Sequence, residues 1–87
     1  MKNLCVIIPC FNEENRIQKN LFIKFLNDYP MNRIVFINDG SNDNTFTILN
    51  YLKAKKGDQV IILNNKKNLG KAESVRKGML FAHENFK

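Results

Sequence analysis

The chain has 87 residues, of which 44% are hydrophobic and 25% are charged, and its formal net charge is +6. A chain of this length holds one small hydrophobic core, so we expect one domain or part of one. No apolar run reaches the roughly 20 residues that cross a bilayer, and the apolar stretch after Met1 is too short for a signal peptide, so we expect these residues to be soluble.

Charge and cysteine content narrow the class of protein. The excess of lysine and arginine lies in the second half of the chain, where it suits phosphate-bearing ligands, nucleic acid or an anionic membrane surface, or forms a solvated face. Cys5 and Cys10 are spaced as neither a redox pair nor a zinc knuckle, and His83 is the only histidine. We therefore expect no metal site in this chain and a reduced, cytoplasmic setting.

A strand and a helix are predicted first. The apolar run Leu4–Ile8 is continuous and closed by Pro9, which is typical of a strand buried on both faces. Apolar residues then recur at three- and four-residue steps, which predicts a helix over 13–28 that ends before Pro30. The apolar stripe of this helix comprises Ile17, Leu21, Phe22, Phe25, Leu26 and Tyr29.

Two more strand–helix units follow. Arg33–Ile37 is a second apolar run, the turn residues 40–44 favour a helix start, and Gly57 ends that helix in a left-handed conformation. Gln59–Leu63 predicts a third strand, and residues 64–70 predict a polar loop. The third helix carries an apolar stripe of Ala72, Val75, Met79, Ala82 and Phe86.

This alternation of strands and helices predicts an α/β fold. Buried strands separated by helices are joined by right-handed crossovers, so the three strands should be parallel and adjacent in one sheet. Helices on both faces of that sheet give a three-layer arrangement of β-α-β-α-β-α units. In an open parallel sheet, ligands bind outside the carboxyl ends of the strands.

Three polar clusters fall at that edge, at residues 9–14, 38–43 and 68–71, with Arg76 further along the third helix. Their carboxylates can accept hydrogen bonds from a ribose or a base N–H, and their basic side chains suit phosphates. A nucleoside diphosphate needs both kinds of group. The chain has neither a G-x-G-x-x-G after its first strand nor a Walker A pattern, which disfavours dinucleotide-binding and P-loop folds.

The same clusters carry a family resemblance. Segments 6–14 (VIIPCFNEE), 35–45 (VFINDGSNDNT) and 68–79 (NLGKAESVRKGM) resemble, in order, the opening motifs of family 2 glycosyltransferases, and the third is similar to that of polyprenyl-phosphate sugar synthases. The resemblance implies the N-terminal half of a GT-A, Rossmann-like fold. It also implies a UDP- or GDP-sugar donor, whose sugar is transferred with inversion to a lipid phosphate, a glycan or another hydroxyl.

The resemblance further implies a divalent metal, Mg²⁺ or Mn²⁺, at an Asp-X-Asp motif that we expect beyond Lys87. Residues 1–87 would then be one partial domain that binds the nucleotide-sugar, with no catalytic residue, no bound metal and no transfer activity alone. We expect no nucleic-acid partner, and membrane association only for the intact protein, at the inner membrane surface. The substrate-binding residues that the resemblance implies are Pro9, Phe11, Glu13, Asn38, Asp39, Ser41, Lys71 and Arg76.

Asp39 has two interpretations. By resemblance it accepts a hydrogen bond from the base N–H, and the alternative is that it caps the second helix, which is the role expected for Asp43. Asn38 stands where the family more often has Asp, so the pocket is less acidic. Pro9 is expected to shape the turn, and Met79 to pack on the apolar stripe.

The other site residues also keep structural alternatives. Phe11 stacks on the base or packs in the core. Glu13 faces the nucleotide or stabilises the first helical turn, with Glu14 in solvent. Lys71 and Arg76 bind the diphosphate or belong to a solvated basic face.

Function and assembly also leave alternatives. A non-catalytic nucleotide-binding or assembly module competes with the enzyme, whereas a flavodoxin-like signalling domain is disfavoured because Glu13 and Glu14 lie too far from the first strand to form its acidic pair. The resemblance implies the strand order third–second–first, with a later strand pairing on the open side of the first. Without that later strand, we expect Leu4–Ile8 to lie at an uncovered sheet edge. We therefore expect the chain to self-associate there, most simply as a two-fold dimer.

Overall fold

The computed structural model describes residues 4–86, and it confirms the α/β fold with three successive strand–helix units. A short 3-10 turn at Gly57–Gln59 leads into the third strand, and Gly57 has the positive φ, 56°, that was predicted for the end of the second helix. The elements are β1 (Cys5–Cys10), α1 (Lys19–Asp28), β2 (Arg33–Asp39), α2 (Thr45–Lys56), β3 (Val60–Asn65) and α3 (Lys71–Asn85).

The three strands form one parallel sheet in the order β1-β2-β3, as predicted. The register aligns Ile8 with Phe36, and Phe36 with Ile62, across the sheet. At the carboxyl ends, Asn38 lies between Cys10 and Asn64. The loops that leave the three strands therefore start at the same height.

The central strand β2 supplies the core on both faces of the sheet. Ile34 and Phe36 are fully buried in a cluster with residues of α1 and α2, and Val35 and Ile37 are fully buried on the opposite face, under α3. Gly78 allows α3 to lie close, because a Cβ there would be 2.6 Å from Ile7 and 2.7 Å from Ile37. The sheet is thus the middle of three layers.

The predicted start of the first helix is wrong. Residues 13–17 form a turn in which the Glu13 carbonyl accepts hydrogen bonds from the N–H groups of Arg16 (2.9 Å) and Ile17 (3.0 Å), and α1 begins only at Lys19. Glu13 therefore lies outside the helix and cannot stabilise its first turn. The apolar spacing from Ile17 onward resembles a helix because the turn brings that side chain against the same core cluster.

Strand β1 is less buried than predicted. Of its residues only Cys10 is buried, whereas the others, including Pro9, are half-buried. Among the described residues, β1 pairs only with β2. An apolar groove of about 480 Å³ lies between β1 and α1, on the face of the sheet that carries Val6 and Ile8. We call this the β1 groove; its lining includes Val6, Ile8 and Leu21.

The predicted stripe of α3 is also wrong in part. Met79 is 59% exposed, and the buried residues of the helix are Ser74 and Gly78, one turn apart. Ser74 and Gly78 are the buried residues of α3 because this helix lies close to the sheet, and a large apolar side chain would not fit between them. Within residues 4–86, no helix combines the length and the apolar character that a bilayer crossing requires.

Candidate functional site

The loops at the carboxyl edge of the sheet are bonded to one another. We call them loop 1 (residues 11–18, after β1), loop 2 (40–44, after β2) and loop 3 (66–70, after β3). Each of them includes residues of one of the three polar clusters of the sequence. The convergence predicted from topology is confirmed by hydrogen bonds that join loop 1 to loop 2 and the end of β2 to loop 3.

Asn12 contributes to the set of hydrogen bonds between loops 1 and 2, which we call the seam. Its φ is +52°, a left-handed conformation that Asn tolerates better than most residues. In this conformation its N–H donates to Ser41 Oγ (3.0 Å), and its Oδ1 accepts from the N–H of Asn42 (3.0 Å). The seam therefore uses both the backbone and the side chain of one residue.

Asp43 and Glu14 complete this seam. Asp43 Oδ1 accepts from the N–H of Thr45 (2.9 Å) and from its hydroxyl (2.5 Å), so its carboxylate satisfies the first N–H of α2. The N-cap position itself is Asn44, one residue after the predicted Asp43. Its Oδ2 accepts from the N–H of Glu14 (3.3 Å), and the Glu14 carboxylate accepts from Asn44 in return. The expectation that Glu14 faces solvent is therefore wrong.

Asp39 joins β2 to loop 3. Oδ1 accepts from the N–H of Leu69 (2.7 Å) and from Asn65 Nδ2 (2.9 Å), and Oδ2 accepts from the N–H of Gly70 (3.0 Å). The side chain is only 3% exposed. The alternative that Asp39 caps the second helix is wrong, because the hydrogen bonds of its carboxylate go to the segment before α3.

These bonds set the charge of Asp39. Burial pushes the pKa of this carboxyl upward, but the N–H groups of Leu69 and Gly70 and the side chains of Asn65 and Ser74 outweigh that effect, and the net pKa lies below its usual value. Asp39 is therefore an anion at neutral pH.

Gly40 lets loops 2 and 3 approach each other. Its φ is +73°, and a Cβ at this position would lie 2.5 Å from both Asn68 N and the carbonyl carbon of Lys67. Asn68 Nδ2 also donates to the Asp39 carbonyl (3.3 Å). A glycine is required here for both conformation and space.

A cleft of about 320 Å³ opens between loops 1 and 3, and we call it the carboxyl-edge cleft. Phe11 is 46% exposed at its wall, so the alternative that this ring packs in the core is wrong. Lys71 is exposed at the first position of α3. The cleft is lined by Pro9, Cys10, Phe11, Glu13, Asp39, Asn68, Gly70 and Lys71.

Three of the predicted site residues lie outside this lining. Asn38 points to the opposite face of the sheet from Asp39, and its amide donates to Asn64 Oδ1 (3.1 Å). Ser41 accepts from loop 1, and Arg76 pairs with Glu73 on the surface of α3 at 2.6 Å. Asn38 and Ser41 therefore form structural hydrogen bonds near the cleft, and the Arg76 guanidinium is engaged in an exposed ion pair.

Sequence reasoning missed several polar residues around the cleft. Asn68 lines it, and Asn65, Ser74 and Lys77 form hydrogen bonds behind Asp39. The register of a parallel sheet could have found Asn65, since it pairs with Asp39 across β2 and β3.

The chemistry of the cleft is that of a binding site. It combines the buried carboxylate of Asp39, the half-buried carboxylate of Glu13, the exposed ring of Phe11 and the exposed ammonium group of Lys71. Burial and the nearby Glu13 carboxylate raise the pKa of the Cys10 thiol to about 11, so Cys10 is not a nucleophile at neutral pH. Over residues 4–86 there is no group of three or more His, Cys, Asp or Glu side chains that could hold a metal ion.

The fold is similar to that of a glycosyltransferase of known structure. A mannosyltransferase from Pyrobaculum calidifontis, PcManGT, solved in complex with GDP-Man and Mn²⁺, matches 91% of this chain with a TM-score of 0.76 and 22% identity. The match covers 24% of that enzyme. The three-layer arrangement is therefore the N-terminal, Rossmann-like half of a GT-A domain.

Curated relatives are similar in sequence. An uncharacterized protein of Methanocaldococcus jannaschii is 40% identical over 91% of this chain, and a dolichyl-phosphate beta-glucosyltransferase of Dictyostelium discoideum is 34% identical over 88% of it. A poly-beta-1,6-N-acetyl-D-glucosamine synthase of Staphylococcus aureus is 29% identical over 91%. The chain spans 33%, 26% and 19% of their respective lengths.

A family model covers nearly all of the described chain. The model for glycosyl transferase family 2 matches residues 5–86, from the start of β1 to the end of α3. The match includes all three loops that form the carboxyl-edge cleft. The chain belongs to glycosyl transferase family 2.

Proposed function

We propose that the carboxyl-edge cleft binds the nucleoside diphosphate part of a UDP- or GDP-sugar. Residues 1–87 would be the nucleotide-binding portion of an inverting glycosyltransferase that acts on a lipid phosphate, a glycan or another hydroxyl acceptor. The observation that carries this proposal is that the buried, ionised Asp39, the exposed Phe11 ring and the exposed Lys71 line the same cleft.

The Asp39 carboxylate is the acceptor that the cleft offers to a base. Its oxygens accept from Leu69, Asn65 and Gly70, and hydrogen bonding with the Ser74 side chain also lowers its pKa. Because Asp39 lines the cleft and is ionised, its carboxylate suits a base N–H, and the negative charge strengthens such a bond.

Phe11 and Lys71 suit the remaining parts of a nucleotide. The face of a base can stack on the exposed ring of Phe11. Lys71 supplies a positive charge for a phosphate at the N-terminus of α3, where the helix dipole also favours an anion. The cleft volume of about 320 Å³ is at the small end for ligand sites, so it suits a nucleoside better than a whole nucleotide-sugar.

A divalent metal, Mg²⁺ or Mn²⁺, is part of the proposal for the intact protein only. The similar mannosyltransferase was solved with Mn²⁺. Residues 4–86 do not offer a fitting set of ligands, so we assign no residue of this chain to the metal and no step through it. We likewise propose a cytoplasmic location, which suits the two cysteines because neither is in a disulfide.

A second candidate is a nucleotide-binding module without catalysis. It is favoured by the lining of the carboxyl-edge cleft, in which we identify binding groups and no nucleophile. We expect the 87-residue chain to bind nucleotide weakly and to transfer no sugar from UDP- or GDP-sugars with Mn²⁺. Ordinary turnover by the purified chain would contradict this expectation and show that the cleft is part of a complete catalytic site.

We also propose self-association of this chain along β1. The support is the unpaired outer side of that strand and the adjoining β1 groove, whose lining includes the 61% exposed Leu21. Unpaired N–H and C=O groups beside apolar surface favour pairing with a second strand.

Titration with UDP and GDP tests the nucleotide proposal. Phe11→Leu should weaken binding by about 1 kcal/mol because stacking is lost, and it should leave the fold unchanged because the ring is exposed. Asp39→Ala should weaken binding by about 1–3 kcal/mol. Asp58→Ala removes the same charge at the exposed 3-10 turn and should bind as the wild type does. Equal affinities of all four proteins, or no binding by any, would refute the proposal.

A further inference from the structure

A polar network lies behind Asp39, on the α3 side of the sheet. Its members are Asn65 at the end of β3, and Ser74 and Lys77 on α3. Asn65 is 7% exposed and Ser74 is fully buried. None of the three lines the carboxyl-edge cleft, so the network touches the cleft only through the Asp39 carboxylate.

The Asn65 amide is the centre of this network. Its Nδ2 donates to Asp39 Oδ1 (2.9 Å) and to Ser74 Oγ (3.1 Å), which uses both of its hydrogens. Its Oδ1 accepts from Lys77 Nζ at 2.6 Å. Every donor of the amide is therefore satisfied, and its oxygen faces a positive charge.

Lys77 and Asp39 together determine which way this amide points. An ammonium group only donates hydrogen bonds, so the oxygen of Asn65 faces Lys77, and the nitrogen faces the Asp39 carboxylate. In the flipped orientation the amide oxygen would meet the Asp39 carboxylate, acceptor against acceptor, and the NH₂ group would meet the ammonium. Asp39 disfavours the flip by itself, and Lys77 adds to this because it binds the amide oxygen and holds the amide in its donor orientation.

We propose that Lys77 is a positioning residue, which fixes the Asn65 amide as a donor to Asp39 and so holds the carboxylate in place at the carboxyl-edge cleft. The positioning of Asp39 stands on the hydrogen bonds alone, and its effect on ligand binding rests on the proposed nucleotide site. The Asn65 and Ser74 side chains both lower the pKa of Asp39, which makes that pKa a measure of the network.

The test compares Lys77→Met with Lys77→Arg and Lys66→Met in the 87-residue chain. Lys66→Met removes the same charge from the exposed loop 3 and serves as the control for net charge. NMR titration of the side-chain carboxyl carbons gives the pKa of Asp39, and the side-chain NH₂ resonances report on Asn65. In Lys77→Met the pKa of Asp39 should rise toward its ordinary value and the Asn65 resonances should shift. Lys77→Arg, which also only donates, should restore both.

Binding of UDP and GDP is measured on the same four proteins by calorimetry. We expect Lys77→Met to weaken it about fivefold, which corresponds to the loss of one hydrogen bond to Asp39. An unchanged Asp39 pKa in Lys77→Met would overturn the positioning role, and so would weaker binding without any change of that pKa, because Lys77 would then contact the ligand itself. No nucleotide binding by the wild type would refute only the nucleotide proposal, and the NMR comparison would still decide the role of Lys77.

Discussion

The carboxyl edge of the sheet and the outer side of β1 differ in whether other residues of the chain cover them. At the carboxyl edge, polar groups of loops 1, 2 and 3 satisfy one another within the chain, and Asp39 alone receives three hydrogen bonds. Along β1, the apolar lining of the β1 groove has no partner within residues 4–86. The carboxyl-edge cleft is therefore held by polar bonds inside this chain, whereas the β1 groove leaves apolar surface uncovered by residues 4–86.

The largest expected effect is at Gly40. Gly40→Ala places a Cβ against the backbone of loop 3 at a positive φ, and we expect it to lower the free energy of unfolding by about 3–5 kcal/mol. Gly57→Ala is the matched control, because Gly57 also has a positive φ but open space around it; its cost should come from backbone strain alone, about 1–3 kcal/mol. Urea denaturation measures both. Equal costs would mean that the contact between loops 2 and 3 is not tight.

Asp39→Asn should have the next largest effect. The new NH₂ group would face backbone N–H groups that need an acceptor, which should lower the free energy of unfolding by about 2–3 kcal/mol. Asp58→Asn at the exposed 3-10 turn should change it by less than about 0.5 kcal/mol. If the two variants unfold alike, Asp39 does not hold loop 3.

The pH dependence of stability is a second test of the contribution of the Asp39 carboxylate. The folded pKa of Asp39 lies below the ordinary value of 3.8, so its contribution is present above that value and is lost as pH falls through the folded pKa. Asp43, whose pKa is lowered by Thr45 and Glu14 against the opposing effect of burial, acts in the same direction. Urea midpoints between pH 5 and pH 2 should fall less steeply in Asp39→Asn than in the wild type. Parallel curves would contradict the prediction.

The smallest expected effect concerns the outer side of β1. Leu21→Lys adds a charge to the β1 groove at an exposed position, so it should weaken self-association about tenfold without unfolding the chain. Leu80→Lys, at an exposed position on α3, is the control. Sedimentation at several micromolar concentrations measures both. A monomeric wild type whose Val6 and Ile8 amides are protected from exchange would refute self-association along β1.

Periodicity and composition predicted the order of the elements and the parallel sheet, because a buried strand and an amphipathic helix each repeat over several residues. Periodicity and composition gave wrong predictions where a single local contact determines the structure. The turn at Glu13 depends on hydrogen bonds to Arg16 and Ile17, and the exposure of Met79 depends on how closely α3 approaches the sheet. Neither distance is encoded in a repeating pattern.

For the candidate site, too, the sequence indicated the residues that the topology brings together but not the individual side-chain contacts. Asp39 lies at a strand end, Phe11 in loop 1 and Lys71 at the start of α3, positions that the topology of the sheet brings together, and they line one cleft. The contact between Asn65 and Lys77 could not be predicted, because it requires both the register of β3 against β2 and the rotation of α3 above them. Such a pair becomes visible only when the layers are assembled.

The hydrogen bonds that hold loops 1, 2 and 3 have a consequence for the dynamics of the cleft. The bonds from Asn12 to loop 2 and from Asp39 to loop 3 join residues that are 29 to 31 positions apart in the chain. A loop of this kind cannot fray by itself, because releasing one end breaks contacts that two strands hold in register. The amide protons of Leu69 and Gly70 should therefore exchange with solvent at rates close to those of the core strand β2, unlike the amides of ordinary surface loops.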